Sequence, residues 1–282
     1  MNEGLFNIIC CPYCKNKLNK NERVFSCRDC GINFEFNERF ISFLSQDGIG
    51  NIPSVYTREF LKRYPRFYYF IADLFGPMWW TGLGPKKFFK RFCVHINCVL
   101  INLGSGPKML GNNVSNIDLY PYRGVSLVAD ILQLPLRDNS VDCIVCDTVI
   151  EHVNSPEVLI KEIQRVLVPG GKAYITAPFL YPFHDSPSDF MRWTKAGFVK
   201  LLGENFKLLR SGVRAGPLSV LAVYCCYLSA LLFSFGSRRI FDLVLNLSIF
   251  IFFPLKLLDI VLSKLPFAED LSAILYYVIE KK

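Results

Sequence analysis

Four short apolar segments between residues 98 and 147 each end in a glycine or an aspartate, and this pattern constrains the fold more than any other. Polar and glycine residues at the ends of successive strands collect at one edge of a parallel sheet, where ligands bind. We therefore expect a ligand site at this edge. The segments are 98–103, 114–117, 126–129 and 141–146, and they are followed by Gly104, Asp118, Asp130 and Asp147.

The following segment alternates a helix with a strand. Residues 156–167 carry apolar side chains at helical spacing, and Pro169-Gly170-Gly171 ends that helix. Residues 173–177 are again a short apolar run. Strand, helix and strand at this pitch predict a doubly wound α/β fold with a mostly parallel sheet.

The turn after the first segment indicates which ligands are excluded. Gly104 and Gly106 let the backbone approach a ligand closely. A dinucleotide fingerprint needs a third glycine, where Met109 stands, and an acid about 20 residues on. Asp118 instead follows Gly104 after fourteen residues, and no Gly-Lys-Ser/Thr follows the turn. NAD is therefore disfavoured, and a Walker loop is excluded.

Two CxxC turns near the start of the chain predict a metal site. Cys11 and Cys14 are separated from Cys27 and Cys30 by twelve residues. Four thiolates close the coordination sphere of one tetrahedral ion, so the site is structural. We expect Zn²⁺, with rubredoxin-like iron as the competing metal. Residues 7–44 resemble the small zinc-ribbon modules that precede some methyltransferase domains, and we expect the module to comprise residues 1–45.

The remaining cysteines are expected to have no metal role. Cys143 and Cys146 form another CxxC, but in an apolar strand their side chains point to opposite faces and cannot chelate one ion. Paired CxxC spacing in a reducing compartment indicates metal binding rather than disulfides. We expect the following to be small core residues: Cys93, Cys98, Cys225 and Cys226.

Five weak motifs in a fixed order carry a resemblance to a known family. In this order and spacing, the chain resembles class I S-adenosylmethionine-dependent methyltransferases of the methyltransferase domain 11 type. The resemblance covers residues 99–203 and implies a seven-stranded sheet within residues 98–282. The motifs are Leu103-Gly104-Ser105-Gly106, Asn116-Ile117-Asp118, Ala129-Asp130-Ile131 with Leu134-Pro135, Val141-Asp142 through Glu151-His152, and Arg165 through Gly171.

The resemblance also implies a cofactor site. Asp118 would bind the ribose hydroxyls, and Asp130 with the backbone of Ile131 would read the adenine edge. Asn102 stands where relatives carry an acid, and Lys108 stands where they carry a third glycine. A non-catalytic binding protein is therefore an alternative. The expected S-adenosylmethionine site comprises Asn102, Gly104, Ser105, Gly106, Asp118, Asp130, Ile131 and Asp147.

Methyl transfer to a hydroxyl requires little from a protein beyond placing the acceptor and removing a proton. The candidates Glu151 and His152 follow the fourth strand, and the polar loop 181–194 follows the fifth. That loop supplies the further candidates His184, Asp189 and Arg192, and Arg192 is expected either to bind a phosphate or to pair with Asp189. No Asn-Pro-Pro-Tyr motif is present, which disfavours methylation of exocyclic amino groups on bases.

An apolar insertion separates the last two predicted strands, 206–213 and 271–279, which the resemblance pairs as antiparallel neighbours. Residues 218–235 and 240–262 approach the length of a bilayer crossing. Crossing twice would export Arg238-Arg239 and place Lys256 and Asp259 near lipid. We therefore expect residues 214–270 to form a helical hairpin that enters one leaflet or lies along it. A soluble lid and a dimer interface are the alternatives.

Composition and charge complete the functional hypothesis. Hydrophobic content of 51% excludes extended disorder, and the net charge of +8 is concentrated in a stretch, residues 56–92, with eight bases, two acids and many aromatics. Within the basic aromatic region 46–97, these residues are expected to anchor the chain at a membrane surface.

The chain shows no secretory signal. We expect a membrane-associated methyltransferase on the cytoplasmic side, acting on a hydroxyl or similar acceptor of a lipid-linked, glycan or amphiphilic substrate. A soluble cytoplasmic RNA methyltransferase that uses the zinc ribbon to bind RNA is the alternative.

Overall fold

The central feature is a mixed sheet of eight strands, seen in a computed structural model that describes residues 3–21, 24–44, 74–93, 98–184 and 188–282. The strands are β4 (Ile41–Ser42), β5 (Leu100–Leu103), β6 (Val114–Asp118), β7 (Leu127–Val128), β8 (Val141–Cys146), β9 (Leu167–Pro178), β10 (Phe206–Ala215) and β11 (Ile274–Lys281). Their order across the sheet is β10-β11-β9-β8-β5-β6-β7-β4.

The predicted doubly wound sheet is confirmed, with strand β5 at its centre. β5 pairs in parallel with β6 and β8, so Leu103 lies beside both Ile117 and Cys146. The last two strands form the expected antiparallel pair, in which Leu208 opposes Ile279. All four residues of β5 are buried, because helices and loops cover both faces of the sheet. The ends of β5, β6 and β8 therefore meet at one edge.

Seven α-helices lie within the described residues. The helix Pro156–Val166, named α3, shows why they form. Its first residue is Pro156, and Leu159, Ile163 and Val166 face the core at helical spacing. The helices are α1 (Glu3–Phe6), α2 (Pro85–Phe92), α3 (Pro156–Val166), α4 (Lys195–Leu202), α5 (Pro217–Phe233), α6 (Arg238–Phe252) and α7 (Asp259–Leu262).

The N-terminal module adds an eighth strand to the seven that were expected. It contains a small antiparallel sheet of β1 (Asn19–Lys20), β2 (Val24–Ser26) and β3 (Asn33–Glu35). Strand β4 leaves this module and pairs in parallel with β7 at the edge of the large sheet. Side chains of the module, including Phe25 and Phe43, belong to the same hydrophobic core as the central strands.

Cys93 packs partly buried against the core, but it also forms a disulfide with Cys143, which the sequence did not predict. The end of α2 packs against β8, which brings the two Cα atoms to 6.5 Å across a sequence separation of 50 residues. No local spacing in the sequence could indicate such a pair. Cys146 is a buried free thiol, so the CxxC at Cys143 is not a chelating pair.

The apolar insertion forms the expected helical hairpin, composed of α5 and α6. A 3₁₀ segment, Phe253–Leu258, and α7 then return the chain to the sheet. Of the basic aromatic region, residues 46–73 and 94–97 lie outside the described residues. Within the described part, α2 buries Phe88 and Phe89 against the sheet and contains Lys90 and Arg91 in its last turn.

Candidate active site

The four N-terminal cysteines converge as a metal-binding group. Sγ of Cys11 lies 3.8 Å from Sγ of Cys30, and Sγ of Cys14 lies 3.4 Å from Sγ of Cys27. All four sulfurs lie within 4.8 Å of one another. Tetrahedral Zn²⁺ with Zn–S bonds of about 2.3 Å requires sulfurs about 3.8 Å apart, so the four thiols fit a structural zinc ion.

The turn after β5 uses both of its glycines in the left-handed region. Gly104 has φ +59° and Gly106 has φ +53°, a conformation that side chains disfavour. A Cβ at Gly104 would lie 2.6 Å from a methyl carbon of Val149, so this glycine permits close packing. A Cβ at Gly106 would have no heavy atom within 4 Å, so the space beside this residue is open.

Asp118 connects the turn to the end of β6. Its two carboxylate oxygens accept the backbone N–H of Gly106 at 2.7 Å and of Tyr120 at 3.0 Å. Burial raises the pKa of Asp118, and these backbone donors partly counteract that effect. Each carboxylate oxygen retains a second lone pair for a ligand hydroxyl. The backbone N–H of Ser105 is held by the carbonyl of Ile117, which fixes the turn against β6.

Asn102, which stands where relatives carry an acid, is buried in β5 and forms hydrogen bonds within the protein. Its Nδ2 donates to Oδ1 of Asn116 at 3.0 Å. Lys108 and Asp147 form an ion pair of 2.8 Å at this edge of the sheet. Burial opposes ionisation of Asp147, but Lys108 and Arg214 outweigh it and lower the pKa of this carboxyl. Sequence reasoning treated Lys108 only as a missing glycine and did not assign it this role.

Asp130 and Ile131 lie at the start of a 3₁₀ turn, Ile131–Gln133. One carboxylate oxygen of Asp130 accepts the backbone N–H of Leu132 at 2.8 Å, and the residue is exposed. The other carboxylate oxygen is available to a ligand at the same sheet edge.

These observations fit S-adenosylmethionine. Open space lies beside Gly106, spare carboxylate lone pairs on Asp118 and Asp130 suit ribose hydroxyls and an adenine amino group, and Lys108 with Asp147 offers both charges to a zwitterion. The roles of the individual residues stay predictions.

A second polar cluster follows β8 and contains two of the predicted catalytic residues. Oε1 of Glu151 lies 3.9 Å from Nε2 of His152 and 4.0 Å from Nε2 of His184. The two imidazole rings meet edge to face, with centroids 5.0 Å apart. Burial raises the pKa of Glu151 to about 8 and lowers that of His184. Glu151 was a candidate from the sequence together with His152, but it was not among the four residues expected to be catalytic, which were His152, His184, Asp189 and Arg192.

Asp189 and Arg192 brace the loop that carries His184. Arg192 pairs with Asp189 through both terminal nitrogens and donates to the carbonyls of Tyr181 and Pro182. Asp189 also accepts the backbone N–H of His184 at 2.9 Å. Although burial opposes ionisation, the bonds from Arg192 help lower the pKa of Asp189 to about 2. Of the two roles expected for Arg192, the structure shows the pairing with Asp189.

The backbone between the two clusters is strained at Thr148, which has φ +57°. This conformation is rare for a β-branched residue and concentrates at functional sites. The hydroxyl of Thr176 accepts the N–H of Thr148 at 2.7 Å and donates to Asp147 at 3.0 Å. Thr176 therefore holds the segment that joins the cofactor edge to the Glu151 cluster, a role that the sequence did not indicate.

Two segments of the chain match known protein families. Residues 82–175 match the family described as a methyltransferase domain. Residues 2–35 match the family described as Trm112p-like protein. An uncharacterised 37.1 kDa transposon protein of Streptomyces fradiae is 35% identical over 79 residues, which are 28% of this chain and 23% of that protein. This chain thus matches less than a quarter of that relative's length.

Several solved structures are similar at low sequence identity. The complex of the Haloferax volcanii Trm112 methyltransferase activator with a methyltransferase gives a TM-score of 0.47 at 14% identity, covering 80% of this chain and 97% of that chain. A second similar structure is Haemonchus contortus phosphoethanolamine N-methyltransferase 2 in complex with phosphomonomethylethanolamine and S-adenosylhomocysteine. Its TM-score is 0.43 at 17% identity, and the match covers 81% of this chain and 60% of that chain.

Proposed function

The chain carries a class I S-adenosylmethionine-dependent methyltransferase domain and a Trm112p-like zinc module, and from this premise we propose that it methylates a hydroxyl of an amphiphilic, lipid-linked acceptor at a membrane surface. When bound, S-adenosylmethionine supplies an electrophilic methyl group. The protein then has to align the acceptor oxygen and remove its proton. The Glu151 cluster lies at the sheet edge where the cofactor is expected, and it offers nitrogen and carboxylate atoms for that proton.

The observation that carries the membrane proposal is the exposed apolar surface of the hairpin. Leu232 of α5 is 70% exposed and Ile251 of α6 is 69% exposed. On each helix, exposed apolar residues recur three, four and seven positions apart and form a stripe. Such stripes on a soluble surface mark an interaction site. The stripes comprise Leu221, Tyr224, Leu228, Leu231 and Leu232 on α5, and Ile240, Leu243, Leu247, Phe250 and Ile251 on α6.

The hairpin dimensions favour a position along the membrane surface. The 17 residues of α5 extend about 26 Å, which is less than the roughly 30 Å of a hydrocarbon core. The continuous segment Arg238–Leu262 is long and apolar enough to span by composition, with 17% of its most apolar window buried. Arg238 and Arg239 at the hairpin turn suit the headgroup region, where long basic side chains reach water.

An open cavity beside the insertion supports an anionic headgroup in the acceptor. It has a volume of about 870 Å³ and lies between β10, the segment after Trp79 and the end of the insertion. Four bases line it, together with two acids, Glu269 and Asp270. Trp79, Trp80 and Phe267 supply an aromatic rim. The bases are Lys87, Lys195, Arg210 and Lys264.

We place the protein on the cytoplasmic side of the membrane. The four ligand thiols of the zinc module have to stay reduced to bind the metal, which a reducing compartment ensures. The Cys93–Cys143 disulfide is the feature that such a compartment does not favour. Quantification of free thiols in protein isolated under alkylating conditions checks this placement.

The experiment that tests the proposal is flotation with vesicles, followed by radiolabelled methyl transfer into membrane extracts. We expect the zinc-loaded protein to float with anionic vesicles and the label to enter the organic phase. The alternative is an RNA methyltransferase, which the Trm112p-like match and the net charge of +8 favour. Label in RNA, with RNA binding that falls steeply as salt rises, would replace the lipid proposal.

A further inference from the structure

Three nitrogen and oxygen atoms from the segments after β8 and β9 lie close enough together to be candidate ligands of a second metal ion. One carboxylate oxygen of Glu151 and one ring nitrogen each of His152 and His184 lie within 4.8 Å of one another. Ligands around one ion with bonds of 2.0–2.2 Å lie about 3 to 3.5 Å apart. The Glu151 distances of 3.9 and 4.0 Å therefore need contractions of roughly half an ångström, within the reach of side-chain rotation.

Both histidines turn Nε2 toward Glu151, and the opposite ring nitrogen of each lies near an acceptor oxygen. Nδ1 of His152 contacts the carbonyl oxygen of Ser188, and because a carbonyl only accepts, this nitrogen carries the proton. Its Nε2 is then the atom with a free lone pair, and it faces Glu151. Nε2 of His184 also faces Glu151, and its buried Nδ1 lies 3.2 Å from a carboxylate oxygen of Asp189 without forming a hydrogen bond to it. A carboxylate or carbonyl behind a histidine is the usual support of a metal-bound imidazole.

Glu151 provides the second, independent observation. The residue is 1% exposed, and its Oε2 has no hydrogen-bond partner within the part of the chain that the structure describes. A buried carboxylate oxygen without a partner costs free energy, and buried charges are normally paired or bound to metals. The cluster concentrates the lone pairs of two ring nitrogens and a carboxyl group, which a cation would satisfy.

We propose that Glu151, His152 and His184 bind a divalent transition-metal ion such as Zn²⁺ or Mn²⁺. Two imidazoles and one carboxylate are a ligand set for these ions, and three protein ligands leave a coordination position open. His152 and His184 are partly exposed, so an ion and an acceptor can reach the site. This site differs from the cysteine centre, whose four thiols leave no open position.

The role of this site rests on the proposed function. The acceptor hydroxyl would bind the cation at its open coordination position. The cation would lower the pKa of this hydroxyl, so that its proton would leave to water and the oxygen would become nucleophilic. The ion would also hold the oxygen at a fixed place beside Asp147 and Thr148, the strained segment that leads to the cofactor edge. Metal binding itself requires neither cofactor nor acceptor, so it can be measured separately.

The test titrates Mn²⁺ into the full chain with zinc already in the cysteine site, by electron paramagnetic resonance and calorimetry, without S-adenosylmethionine. We expect one Mn²⁺ site in the wild type. Glu151→Gln keeps the side-chain shape and should weaken binding at least tenfold, and His184→Asn, on the loop, should do the same. Glu157→Gln, an exposed glutamate on α3, is the matched control and should bind as the wild type does.

Two outcomes would overturn the metal site. The zinc-loaded wild type could take up neither Mn²⁺ nor further Zn²⁺, or both ligand variants could bind Mn²⁺ with unchanged affinity while circular dichroism shows them folded. If Mn²⁺ binds but no methyl transfer to lipid occurs, the metal site stands and the proposed substrate fails. If transfer to lipid occurs without a second metal, the proposed function stands and the metal site fails.

Discussion

Asp259 and Ser219 are joined by two hydrogen bonds across forty residues of sequence. One carboxylate oxygen of Asp259 accepts both the backbone N–H of Ser219 at 2.8 Å and its hydroxyl at 2.7 Å, and the other accepts the N–H of Leu218. Asp259 therefore caps the first turn of α5 from the far end of the insertion. Lys256 is also buried and donates to the carbonyls of Leu74 and Gly76. Both charges belong to the protein interior and do not face lipid.

Replacing the capping carboxylate should loosen the root of the hairpin. Asp259→Ala leaves the first N–H groups of α5 without their acceptor, and we expect a loss of roughly 1 to 3 kcal/mol in the free energy of unfolding. Chemical denaturation in a mild detergent measures it. Asp242→Ala is the control, because this half-exposed carboxylate on α6 pairs, among the described residues, only with the exposed Arg238, and it should change stability by less than about 1 kcal/mol. Equal stability of the two variants would contradict the capping role.

The contact between Glu162 and the zinc module should depend on pH. Glu162 accepts from Arg165, from the backbone of Leu134 and from Lys15 of the module. Burial opposes its ionisation, but Arg165 and Lys15 outweigh burial and lower the pKa of Glu162. A carboxyl group whose pKa is lowered by folding stabilises the folded state at pH values above the pKa that it has in the unfolded chain, which is about 4.3 for Glu. This stabilisation is lost as the pH falls through the lower pKa of the folded state.

Glu162→Gln should therefore cost about 1 to 3 kcal/mol at neutral pH, and the difference from the wild type should shrink below about pH 4. Denaturant titrations at several pH values measure it, with Glu157→Gln on the same helix as the control. A difference that stays constant down to pH 3 would show that the ionised carboxylate does not hold the module in place.

Removal of zinc should destabilise the whole chain and not only the first 45 residues. The core is continuous, since Phe25 and Phe43 of the module pack in one cluster with Ile117 and Leu127 of the large sheet. Chelation, or Cys27→Ser, should lower the midpoint of a single thermal transition and reduce protection from hydrogen exchange along β7. Separate melting of the module with β7 unchanged would show that the two parts fold independently.

Polar residues in the apolar stripes should release the protein from vesicles. Full burial of one leucine or isoleucine contributes about 1.5 to 3 kcal/mol, so Leu232→Asn with Ile251→Asn should weaken vesicle binding at least about a hundredfold. Val199→Asn, on the exposed side of α4, alters the surface elsewhere and should bind as the wild type does. Co-sedimentation measures the affinities. If the double variant binds as tightly as the wild type, the hairpin is not the membrane anchor.

The sequence sufficed for the elements whose signal is local. β8 is observed at residues 141–146 as predicted, and helix α3 ends one residue before the predicted end. The four cysteines converge because each CxxC turn already sets the spacing of two thiols. The eleven residues between Gly106 and Asp118 are few for a full helix, and none forms there.

The sequence did not reveal contacts between residues far apart in the chain. The Cys93–Cys143 disulfide, the pairing of β4 with β7 and the Asp259 cap each join segments that only the fold brings together. Lys256 and Asp259 were expected to oppose membrane insertion because both are charged. The hydropathy of single residues cannot show that such a side chain forms its hydrogen bonds inside the protein. His152 and His184 were both selected from the sequence, but their convergence on Glu151 required the geometry of the loop after β9.

Calorimetric titration of the zinc-loaded protein with S-adenosylmethionine tests the central claim most directly. We predict one site in the wild type and, for Asp118→Asn, a loss of roughly 1 to 3 kcal/mol, or about five- to 150-fold in affinity. Because burial raises the pKa of Asp118, wild-type affinity should fall as acidification protonates this carboxylate, while the variant should not show this dependence. Absence of binding by the folded, zinc-loaded wild type, or equal affinity of the variant at neutral pH, would contradict the account.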